Sequence, residues 1–343
     1  MKNNPLVSII TPCYNSAGYL KRYLINILNQ TYPNIELIII NDGSVDDTEN
    51  IVLSYVNKFQ EKGYSLIYVS QENQGLGGAI NTGLKYIKGE YFTWCDSDNF
   101  YTKNYIETKI DFFLKNPQYS IVRCDGFIVL ESNTHKPIGL MATGNRDKFQ
   151  PKMFEYCLNV KNFHFGCAML RTCDFDKINP MREIYPSRHG QNWQLLLPMF
   201  YHYLSGYIDE PMFYFVYRSN SVSNCVKNQN KEKRYEQQAE YYKIIIETLK
   251  TMNIKEYEKY EKVARKNYIK NCLYVAMETR DVPRLKLEYK KLKKEKLTSA
   301  KIRLVYFRGR SRLVDFFWRV VQKIKSFSVK VKLGKLSKKK CEK

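Results

Sequence analysis

The first hundred residues alternate short, continuously apolar runs with stretches of helical periodicity. The apolar runs predict four buried strands, at Val7–Thr11, Glu36–Asn41, Ser65–Val69 and Tyr91–Cys95. The stretches between them predict three helices, at Ala17–Gln30, Asp46–Phe59 and Gly75–Ile87. Strands that are apolar on both faces and alternate with helices are typical of βαβ units in a parallel sheet. We therefore predict an α/β fold, Rossmann-like, with a mostly parallel central sheet flanked by helices.

The pattern becomes mixed after Pro117 and helical after Asn224. Three further strands are predicted at Ser120–Leu130, Gly166–Arg171 and Met212–Tyr217, with one helix at Gln191–Leu204. Beyond them, two apolar and aromatic stripes recur at helical spacing: Tyr235, Ala239, Tyr242, Ile246 and Leu249, then Tyr260, Ala264, Tyr268, Cys272 and Val275. We interpret both stripes as packing faces. The sequence thus predicts two domains, an α/β domain at 1–225 and a helical C-terminal region at 226–343.

The formal charge of +22 is concentrated in the second of these regions. Residues 227–343 hold 35 basic and 13 acidic residues, whereas residues 1–226 hold 21 of each. Within 282–343, where 22 residues are basic and 4 acidic, apolar residues recur at helical spacing between cations: Leu313, Phe316, Phe317, Val320, Ile324 and Phe327, with Arg312, Arg319, Lys323 and Lys325 between them and Trp318 beside them. A basic, aromatic-rich amphipathic helix suits an anionic membrane surface. The alternative is a packing helix that closes the domain and leaves a solvated basic end.

Other classes of protein are disfavoured by the sequence. It has no run of about 18 apolar residues that would span a bilayer, and its N-terminus lacks the apolar stretch of a signal peptide. Nine cysteines without a CxxC pair fit reduced thiols of the cytoplasm better than disulfides or a zinc site. The charge does not by itself indicate a nucleic-acid partner, because no RNP-type or zinc motif accompanies it.

Polar residues follow each strand of the first hundred residues. Ligands bind at the carboxyl ends of such strands, which directs attention to Pro12–Ser16, Asp42–Asp47, Gln71–Gly78 and Asp96–Asn99. In the last segment, Asp96 and Asp98 are two carboxylates spaced to converge on one hard cation. The third segment opens a helix with glycines, which let backbone approach a phosphate-bearing ligand. It does not follow a strand as a dinucleotide fingerprint does.

Taken together, these motifs resemble the family-2 glycosyltransferases of GT-A fold that build bacterial polysaccharides and glycolipids. The resemblance covers about residues 5–223. Its motifs are Thr11-Pro12-x-Tyr14-Asn15, Asn41-Asp42-Gly43-Ser44, Asn73-x-Gly75 with Ala79-x-Asn81-x-Gly83, Gly89-Glu90-Tyr91, Asp96-x-Asp98, and Tyr217-Arg218 with Asn220-Ser221-Val222-Ser223.

The resemblance implies a nucleotide-sugar site. Pro12, Tyr14 and Asp42 would line the base pocket, with Asp42 accepting a hydrogen bond from uracil or thymine. Asp96 would hold the ribose, and Asp98, with Asp96 beside it, would bind the Mn²⁺ or Mg²⁺ that bridges the diphosphate. Arg218 would contact the same diphosphate. The remaining residues that we assign to the donor site from these motifs are Thr11, Asn15, Asn73, Gly75 and Ser97.

The sequence departs from the family pattern where the catalytic base is expected. Family members carry an acidic pair before a Trp-containing helix, but here Gln191 and Asn192 precede Trp193. An amide does not act as a general base at neutral pH. Three interpretations remain open: His189 is the base, another residue such as His164 is the base, or amides such as Asn192 only position the acceptor.

The activity that follows is a metal-dependent transfer of sugar from a nucleotide-sugar, which we expect to be a UDP-sugar. The transfer is expected to invert the anomeric centre because the resembled family inverts. The acceptor would be a saccharide or a lipid-linked intermediate of cell-surface polysaccharide, used by a cytoplasmic enzyme peripheral to the inner face of the membrane. Two alternatives are kept: a non-catalytic sugar-nucleotide-binding homologue in a polysaccharide assembly complex, and a nucleotidyltransferase. The second alternative usually needs a Gly-rich, basic loop after the first strand, where this chain has Pro12-Cys13-Tyr14-Asn15-Ser16.

Overall fold

The structure is a computed structural model, of which we describe residues 4–142, 147–159, 168–218 and 230–321. Several residues singled out above lie outside these ranges: His164, Asn220, Ser221, Val222, Ser223, Lys323, Ile324, Lys325 and Phe327.

The described strands form one mixed sheet. They are β1 (Val7–Cys13), β2 (Ile35–Asp42), β3 (Ser65–Gln71), β4 (Tyr91–Trp94), β5 (Phe100–Tyr101), β6 (Tyr119–Leu130), β7 (Asn133–Leu140), β8 (Ala168–Arg171) and β9 (Leu204–Tyr217). Their order is β3-β2-β1-β4-β8-β6-β9-β5, and β7 pairs with β6. The prediction of an α/β fold with a central sheet is confirmed.

The first four strands run parallel and set the edge that carries the candidate site. Cys13 of β1 lies opposite Asn41 of β2, and Ile10 of β1 lies opposite Trp94 of β4. Beyond β4 the sheet turns antiparallel through β8 and returns to the parallel direction in β6. The loops that follow β1, β2 and β4 therefore leave the sheet side by side.

Helices alternate with the strands along the chain and follow the last strand. The first eight are α1 (Ala17–Leu28), α2 (Thr48–Leu53), α3 (Val56–Glu61), α4 (Gly75–Lys85), α5 (Tyr105–Lys115), α6 (Phe154–Asn159), α7 (Thr172–Ile178) and α8 (Gln191–His202). The next four are α9 (Lys231–Thr251), α10 (Tyr257–Glu278), α11 (Val282–Lys294) and α12 (Ala300–Arg310). Residues 312–321 are helical as well.

The predicted helix Asp46–Phe59 is two helices, α2 and α3, in the structure. The Ser54 hydroxyl donates a hydrogen bond of 2.8 Å to the carbonyl oxygen of Ile51 at the break. A serine that bonds to nearby backbone in this way competes with the helical ladder.

Burial of β1 and β2 explains why their sequences are continuously apolar. Leu37, Ile38, Ile39 and Ile40 of β2 have no exposed surface, and Ile9 and Ile10 of β1 have none either. Successive residues of a strand face opposite sides of the sheet, so both faces are covered. This part of the core supports the sheet edge that carries the candidate site.

The chain divides into two compact units: Met1–Cys225 with Lys243–Glu261, and Val226–Tyr242 with Lys262–Lys343. The second unit has its own core, formed by buried residues of α10, α11 and α12: Ile269, Leu273, Ala276, Met277, Leu285, Leu292, Ile302 and Val305. Of the two predicted stripes, Tyr242 and Tyr268 stack with ring centroids 4.9 Å apart, whereas Ala239 is exposed.

Two further observations concern the described residues. No helix there combines the length and the apolar character needed to cross a bilayer. The six cysteines there carry free thiols, and five of them are buried: Cys13, Cys95, Cys124, Cys157 and Cys272.

Candidate functional site

The loops after β1 and β2 are joined by backbone-to-side-chain hydrogen bonds. Ser44 Oγ accepts from the Asn15 amide at 2.9 Å, and Asn15 Oδ1 accepts from the Val45 amide at the same distance. Thr48 Oγ1 accepts from the Ser16 amide, also at 2.9 Å. Asn15 has a φ of +49°, a left-handed conformation that asparagine tolerates better than most residues. The loops after β1 and β2 therefore form one continuous, hydrogen-bonded surface at the sheet edge, which we call the ledge.

The Asp96-x-Asp98 turn after β4 is fastened to the same ledge. Ser97 Oγ and Ser16 Oγ share a hydrogen bond of 2.9 Å. On its other side, Arg22 of α1 donates to the Asp98 carbonyl oxygen at 2.6 Å, and Asn99 Oδ1 accepts from the Val216 amide at 2.9 Å. The structure thus brings the Asp42 loop and the two later aspartates to the same edge of the sheet.

The Asp42 carboxylate is buried and held by residues of the next loop. Its Oδ1 accepts from Gln71 Nε2 at 2.7 Å and from the Gln74 amide at 2.8 Å. The Asn73 side chain donates to the Asp42 carbonyl oxygen at 2.9 Å. Within the described residues, Oδ2 of Asp42 makes no hydrogen bond. One oxygen of this carboxylate therefore supports the loop, while the other remains available to a donor such as an imide N–H.

Asp98 is paired with Arg218, which follows β9. Arg218 Nη2 lies 2.5 Å from Asp98 Oδ2, and the guanidinium lies 4.6 Å from the centroid of the Tyr19 ring. The side chains retain exposed fractions of 22% for Arg218 and 15% for Asp98. This partial exposure leaves the pair accessible to a bound anion. Burial alone would lower the pKa of Arg218, but Asp98, together with Tyr19 and Glu131, outweighs burial and raises that pKa.

The charged form of Asp96 is disfavoured by its surroundings. Burial, together with the nearby charge of Asp98, holds the pKa of Asp96 well above its usual range, while Arg218 acts in the opposite direction. Its carboxylate makes no hydrogen bond to the parts of the chain that are described. A cation beside such a group relieves both the burial penalty and the repulsion from Asp98.

This electrostatic arrangement fits a divalent cation, but the protein supplies few ligands. Within the described ranges, no cluster of three or more His, Cys, Asp or Glu residues is arranged to hold a metal ion. Two carboxylates give a hard cation part of the oxygen shell that it requires. A ligand carrying its own oxygens, such as a diphosphate, would have to complete it.

The other predicted donor residues divide between the ledge and the core. Tyr14 is 54% exposed on the β1 loop, next to the half-buried Pro12. The Thr11 side chain is fully buried and shares a 2.5 Å hydrogen bond with Tyr23, so it supports the core beneath the edge.

The glycines at the start of α4 make room for another segment of the chain, whereas the sequence suggested room for a phosphate-bearing ligand. A Cβ on Gly77 would lie 2.7 Å from the Ser187 amide nitrogen and 2.8 Å from its carbonyl oxygen, and one on Gly75 would lie 3.1 Å from Cγ of Arg188. The Gly77 amide donates to the Ser187 carbonyl at 2.8 Å. These glycines admit the 185–188 segment of the protein itself against the helix N-terminus.

The same segment is fastened further along α4. Asn81 exchanges two hydrogen bonds with Ile184, at 2.9 and 2.8 Å. Gln194 Nε2 donates to the Tyr185 carbonyl at 3.0 Å and to Ser187 Oγ at 3.2 Å. The stretch that carries the candidate catalytic residues is therefore anchored on α4, and the residue before that helix, Gln74, donates to the Asp42 carboxylate.

The two candidate catalytic residues occupy different environments. Asn192 Oδ1 accepts a 2.5 Å hydrogen bond from Trp94 Nε1, while the neighbouring Gln191 is buried at the start of α8. His189 is half-buried, and its carbonyl oxygen accepts a 2.5 Å hydrogen bond from Ser187 Oγ. Gly190, between His189 and the start of α8, has a φ of +76°. The structure thus ties Asn192 to the strand that leads into the Asp96-x-Asp98 turn.

Sequence reasoning gave no role to the residues that hold the ledge together: Ser16, Arg22, Ser44, Gln71 and Gln74. Four of them lie in the segments that follow the strands, so their position was a usable signal. Arg22 lies inside α1, where nothing in its helical pattern indicates a bond to a loop 76 residues away.

Comparison with known proteins gives a family for this domain. The model described as glycosyl transferase family 2 matches residues 8–178. An uncharacterized glycosyltransferase of Rickettsia prowazekii is 41% identical over 138 residues, which are 39% of this chain and 41% of that protein. A chondroitin synthase of Escherichia coli is 29% identical over 205 residues, which are 55% of this chain and 28% of that protein. The matched segments therefore span less than half the length of these relatives.

Two solved structures share the fold over most of the chain. The Staphylococcus aureus TarS fragment 1–349 in complex with UDP aligns with a TM-score of 0.56 and 16% identity, covering 94% of this chain and 91% of that one. The mannosyltransferase PcManGT of Pyrobaculum calidifontis, in complex with GDP-Man and Mn²⁺, aligns with a TM-score of 0.50 and 15% identity, covering 91% and 86%. The family match, the relatives and the sheet edge described above agree, and the chain carries a glycosyltransferase family 2 domain with the GT-A fold.

Proposed function

We propose that the protein transfers a sugar from a nucleotide-sugar to a saccharide or lipid-linked acceptor, with a divalent cation, in the synthesis of a cell-surface polysaccharide. One observation carries this proposal: the hydrogen bonds that join the loops after β1, β2 and β4 set Asp42, Asp96 and Asp98 along a single edge. We assign this activity to a catalytic domain at 1–225, followed by the helical region 226–343.

The donor is a UDP-sugar in this proposal. The unengaged Oδ2 of Asp42 would accept the imide N–H of uracil, and the exposed Tyr14 ring would cover the base. The UDP complex of TarS is consistent with this choice, although GDP-Man in PcManGT shows that the fold accepts another base.

Asp98 and Asp96 are the residues that would hold Mn²⁺ or Mg²⁺, with diphosphate oxygens completing its coordination. When bound, the ion neutralises the charge that develops on the departing diphosphate. Arg218, already oriented by Asp98, adds a second cation beside that charge. The fixed ledge keeps these groups in place without reorganisation during the reaction.

The chemistry is one in-line displacement. The acceptor oxygen bonds to the anomeric carbon as the bond to the diphosphate breaks, the nucleoside diphosphate leaves, and the acceptor proton passes to a base. Inversion follows from the family and not from any single residue of this chain. Of the candidate residues within the described ranges, His189 carries an imidazole that can take a proton, and Asn192 is suited to position the acceptor.

The proposed acceptor and location are supported by the family relatives and by the charge of the chain. A partial match to a chondroitin synthase is consistent with a polysaccharide product. The basic region 282–343 would keep the cytoplasmic enzyme at the inner face of the cell membrane, where lipid-linked intermediates are found.

A non-catalytic sugar-nucleotide-binding protein is the second candidate. The observation that favours it is the Trp94–Asn192 hydrogen bond, since it occupies the amide oxygen at the position of the usual acidic base. Such a protein would bind the nucleotide-sugar without turning it over.

One experiment separates these functions. Thermal unfolding of the full chain is measured with UDP-, GDP- or dTDP-sugars, with and without Mn²⁺. Separate, unheated samples are assayed for released nucleoside diphosphate with oligosaccharide or lipid-linked acceptors. Metal-dependent stabilisation by one nucleotide-sugar together with turnover supports transfer. Stabilisation without turnover supports the second candidate, and the absence of any stabilisation overturns both. The anomeric configuration of the product tests inversion.

A further inference from the structure

The helix at 312–321 exposes its apolar face. Leu313, Phe316 and Phe317 are 70%, 61% and 63% exposed, and Val320 is 37% exposed. These residues recur at intervals of three and four, so they form one continuous stripe on the helix. Phe307, on the preceding helix α12, is 53% exposed as well. Two adjacent exposed phenylalanines on a single helix turn leave an unusually large apolar surface in water.

The opposite face of this helix is polar and buried. Asp315 is only 4% exposed and accepts hydrogen bonds from Arg280 at 2.5 Å, from Arg308 at 3.0 Å and from Arg319 at 3.0 Å. Trp318, one turn further on, lies under the Arg308 guanidinium at 5.3 Å. The helix is therefore inverted relative to an ordinary surface helix, because its carboxylate points inward and its phenylalanines point outward.

The ion pairs explain how this inverted orientation is held. Arg280 also donates a hydrogen bond to the carbonyl oxygen of Arg308, so it is bound to the end of α12 as well as to Asp315. Two of the three partners, Arg280 and Arg308, lie outside this helix, so their charge-assisted bonds hold the face that carries Asp315 toward them, while Arg319 belongs to the helix itself. The apolar stripe is thus held away from the core before any partner is present.

The charges around the stripe select the partner. Residues 296–321 contain seven basic residues and a single acidic one, Asp315, whose charge is already neutralised by arginine. Lys301, Arg303, Arg310 and Arg312 are exposed. Within the described part of the chain these four make no ion pair. A surface that is apolar at its centre and cationic at its rim is complementary to an apolar interior beneath a negative surface.

An anionic phospholipid bilayer has this combination of properties. A nucleic acid would match the cations but leave the phenylalanines in water. We propose that residues 307–321, with Phe316 and Phe317 at the centre, form a preformed docking face that inserts into the headgroup region of an anionic membrane. This inference rests on the part of the proposed function that places the enzyme at a membrane, and it is independent of the transfer reaction.

The test uses the full chain in sedimentation with vesicles of phosphatidylcholine alone or mixed with phosphatidylglycerol. Phe316→Ser with Phe317→Ser removes the apolar centre without changing charge. Leu114→Ser with Met181→Ser is the matched control, since these side chains are 50% and 72% exposed elsewhere. Every variant keeps the same basic residues, and each is checked for an unchanged thermal unfolding midpoint and for stabilisation by UDP-sugar with Mn²⁺.

We expect the wild type and the control to bind the mixed vesicles, and the phenylalanine variant to bind roughly ten-fold more weakly. We also expect little binding to phosphatidylcholine alone, because the cationic rim requires anionic lipid. Equal binding by the phenylalanine variant and the control overturns the docking face, and so does the absence of vesicle binding by the wild type. Because stabilisation by the nucleotide-sugar is measured on the same samples, failure of the docking face is distinguished from failure of the proposed transfer function.

Discussion

Trp94 Nε1 donates a hydrogen bond of 2.5 Å to Oδ1 of Asn192. This bond fixes which end of the amide faces the indole, so the NH₂ group of Asn192 is turned the other way. Position 192 therefore offers a hydrogen-bond donor where the family pattern places a carboxylate. A donor positions an acceptor oxygen but does not remove its proton.

Replacing Asn192 by Asp tests this relationship directly. One oxygen of the new carboxylate keeps the bond to Trp94, and the other takes the place of the NH₂ group as a general base. General bases contribute about 10²–10⁴-fold to such reactions, so we expect transfer to a hydroxyl acceptor to rise by at least about ten-fold. The measurement is kcat against pH, which should gain an acidic limb in the variant.

Asn192→Leu is the control, because it removes both the bond to Trp94 and any hydrogen bond to the acceptor. It should lower kcat while leaving donor binding intact. If Asn192→Asp leaves kcat unchanged in a folded protein, position 192 is not where the acceptor proton leaves, and His189 becomes the base to test.

Metal binding is predicted to depend on the nucleotide. Asp96 and Asp98 supply too few ligands alone, so Mn²⁺ by itself should stabilise the protein weakly, and UDP with Mn²⁺ strongly. A ligand at about 100 times its Kd stabilises by about 2.7 kcal/mol. Asp98→Asn should remove most of the metal-dependent part of this stabilisation, as measured by thermal unfolding.

Asp176→Asn is a matched control for that variant. Asp176 also pairs with an arginine, Arg182, at 2.7 and 2.8 Å, but away from the sheet edge. Both variants break an ion pair, and only Asp98→Asn should change the response to Mn²⁺. The same loss in both would mean that the response reports general stability and not a metal ligand.

Gly77→Ala is predicted to displace the segment that carries His189. The new methyl group would meet backbone atoms of Ser187 at 2.7 and 2.8 Å, and backbone cannot move aside as a flexible side chain does. Forced overpacking of this kind costs about 1–3 kcal/mol. We expect lower stability in urea and a larger fall in transfer rate than in donor affinity.

Gly18→Ala is the corresponding control on α1. A Cβ there meets nothing within 4 Å, and alanine is favoured over glycine in a helix by about 0.5–1 kcal/mol. This variant should be unchanged or slightly more stable and fully active. If Gly77→Ala behaves in the same way, the 185–188 segment is not held as tightly as its contacts indicate.

The sequence predicts much of this fold because the signals are local. The β1 and β2 runs are apolar on both faces and were located to within two residues. The α5 helix was not predicted, although its buried residues Tyr105, Ile106, Ile110 and Phe113 have helical spacing. The pairing of β6 with strands on both sides depends on contacts between distant segments, which no local pattern contains.

The candidate site was predictable to the extent that residue position determines it. A parallel sheet places residues that follow neighbouring strands at one edge, which is why the sequence alone directed attention to Asp42 and Asp96 as neighbours there. The glycines of α4 were interpreted as space for a phosphate, whereas Gly75 and Gly77 make room for Arg188 and Ser187. A sequence shows that a close approach occurs at a glycine, but not whether a ligand or the chain itself approaches.

Asp315 gives a prediction for pH. Burial alone would raise the pKa of Asp315, but Arg308, Arg319 and Arg280 outweigh it and lower that pKa. A carboxylate whose pKa is lower in the folded state stabilises that state above its unfolded pKa of about 3.9, and the contribution is lost as pH falls through the folded-state pKa. Asp315→Asn should therefore reduce the free energy of unfolding at pH 7 by about 1–3 kcal/mol. Urea unfolding at pH 7, 5 and 3 should show the difference from wild type nearly constant between pH 7 and 5 and much smaller at pH 3. A difference that stays the same at pH 3 would mean that the variant acts through packing and not through the charge of the carboxylate.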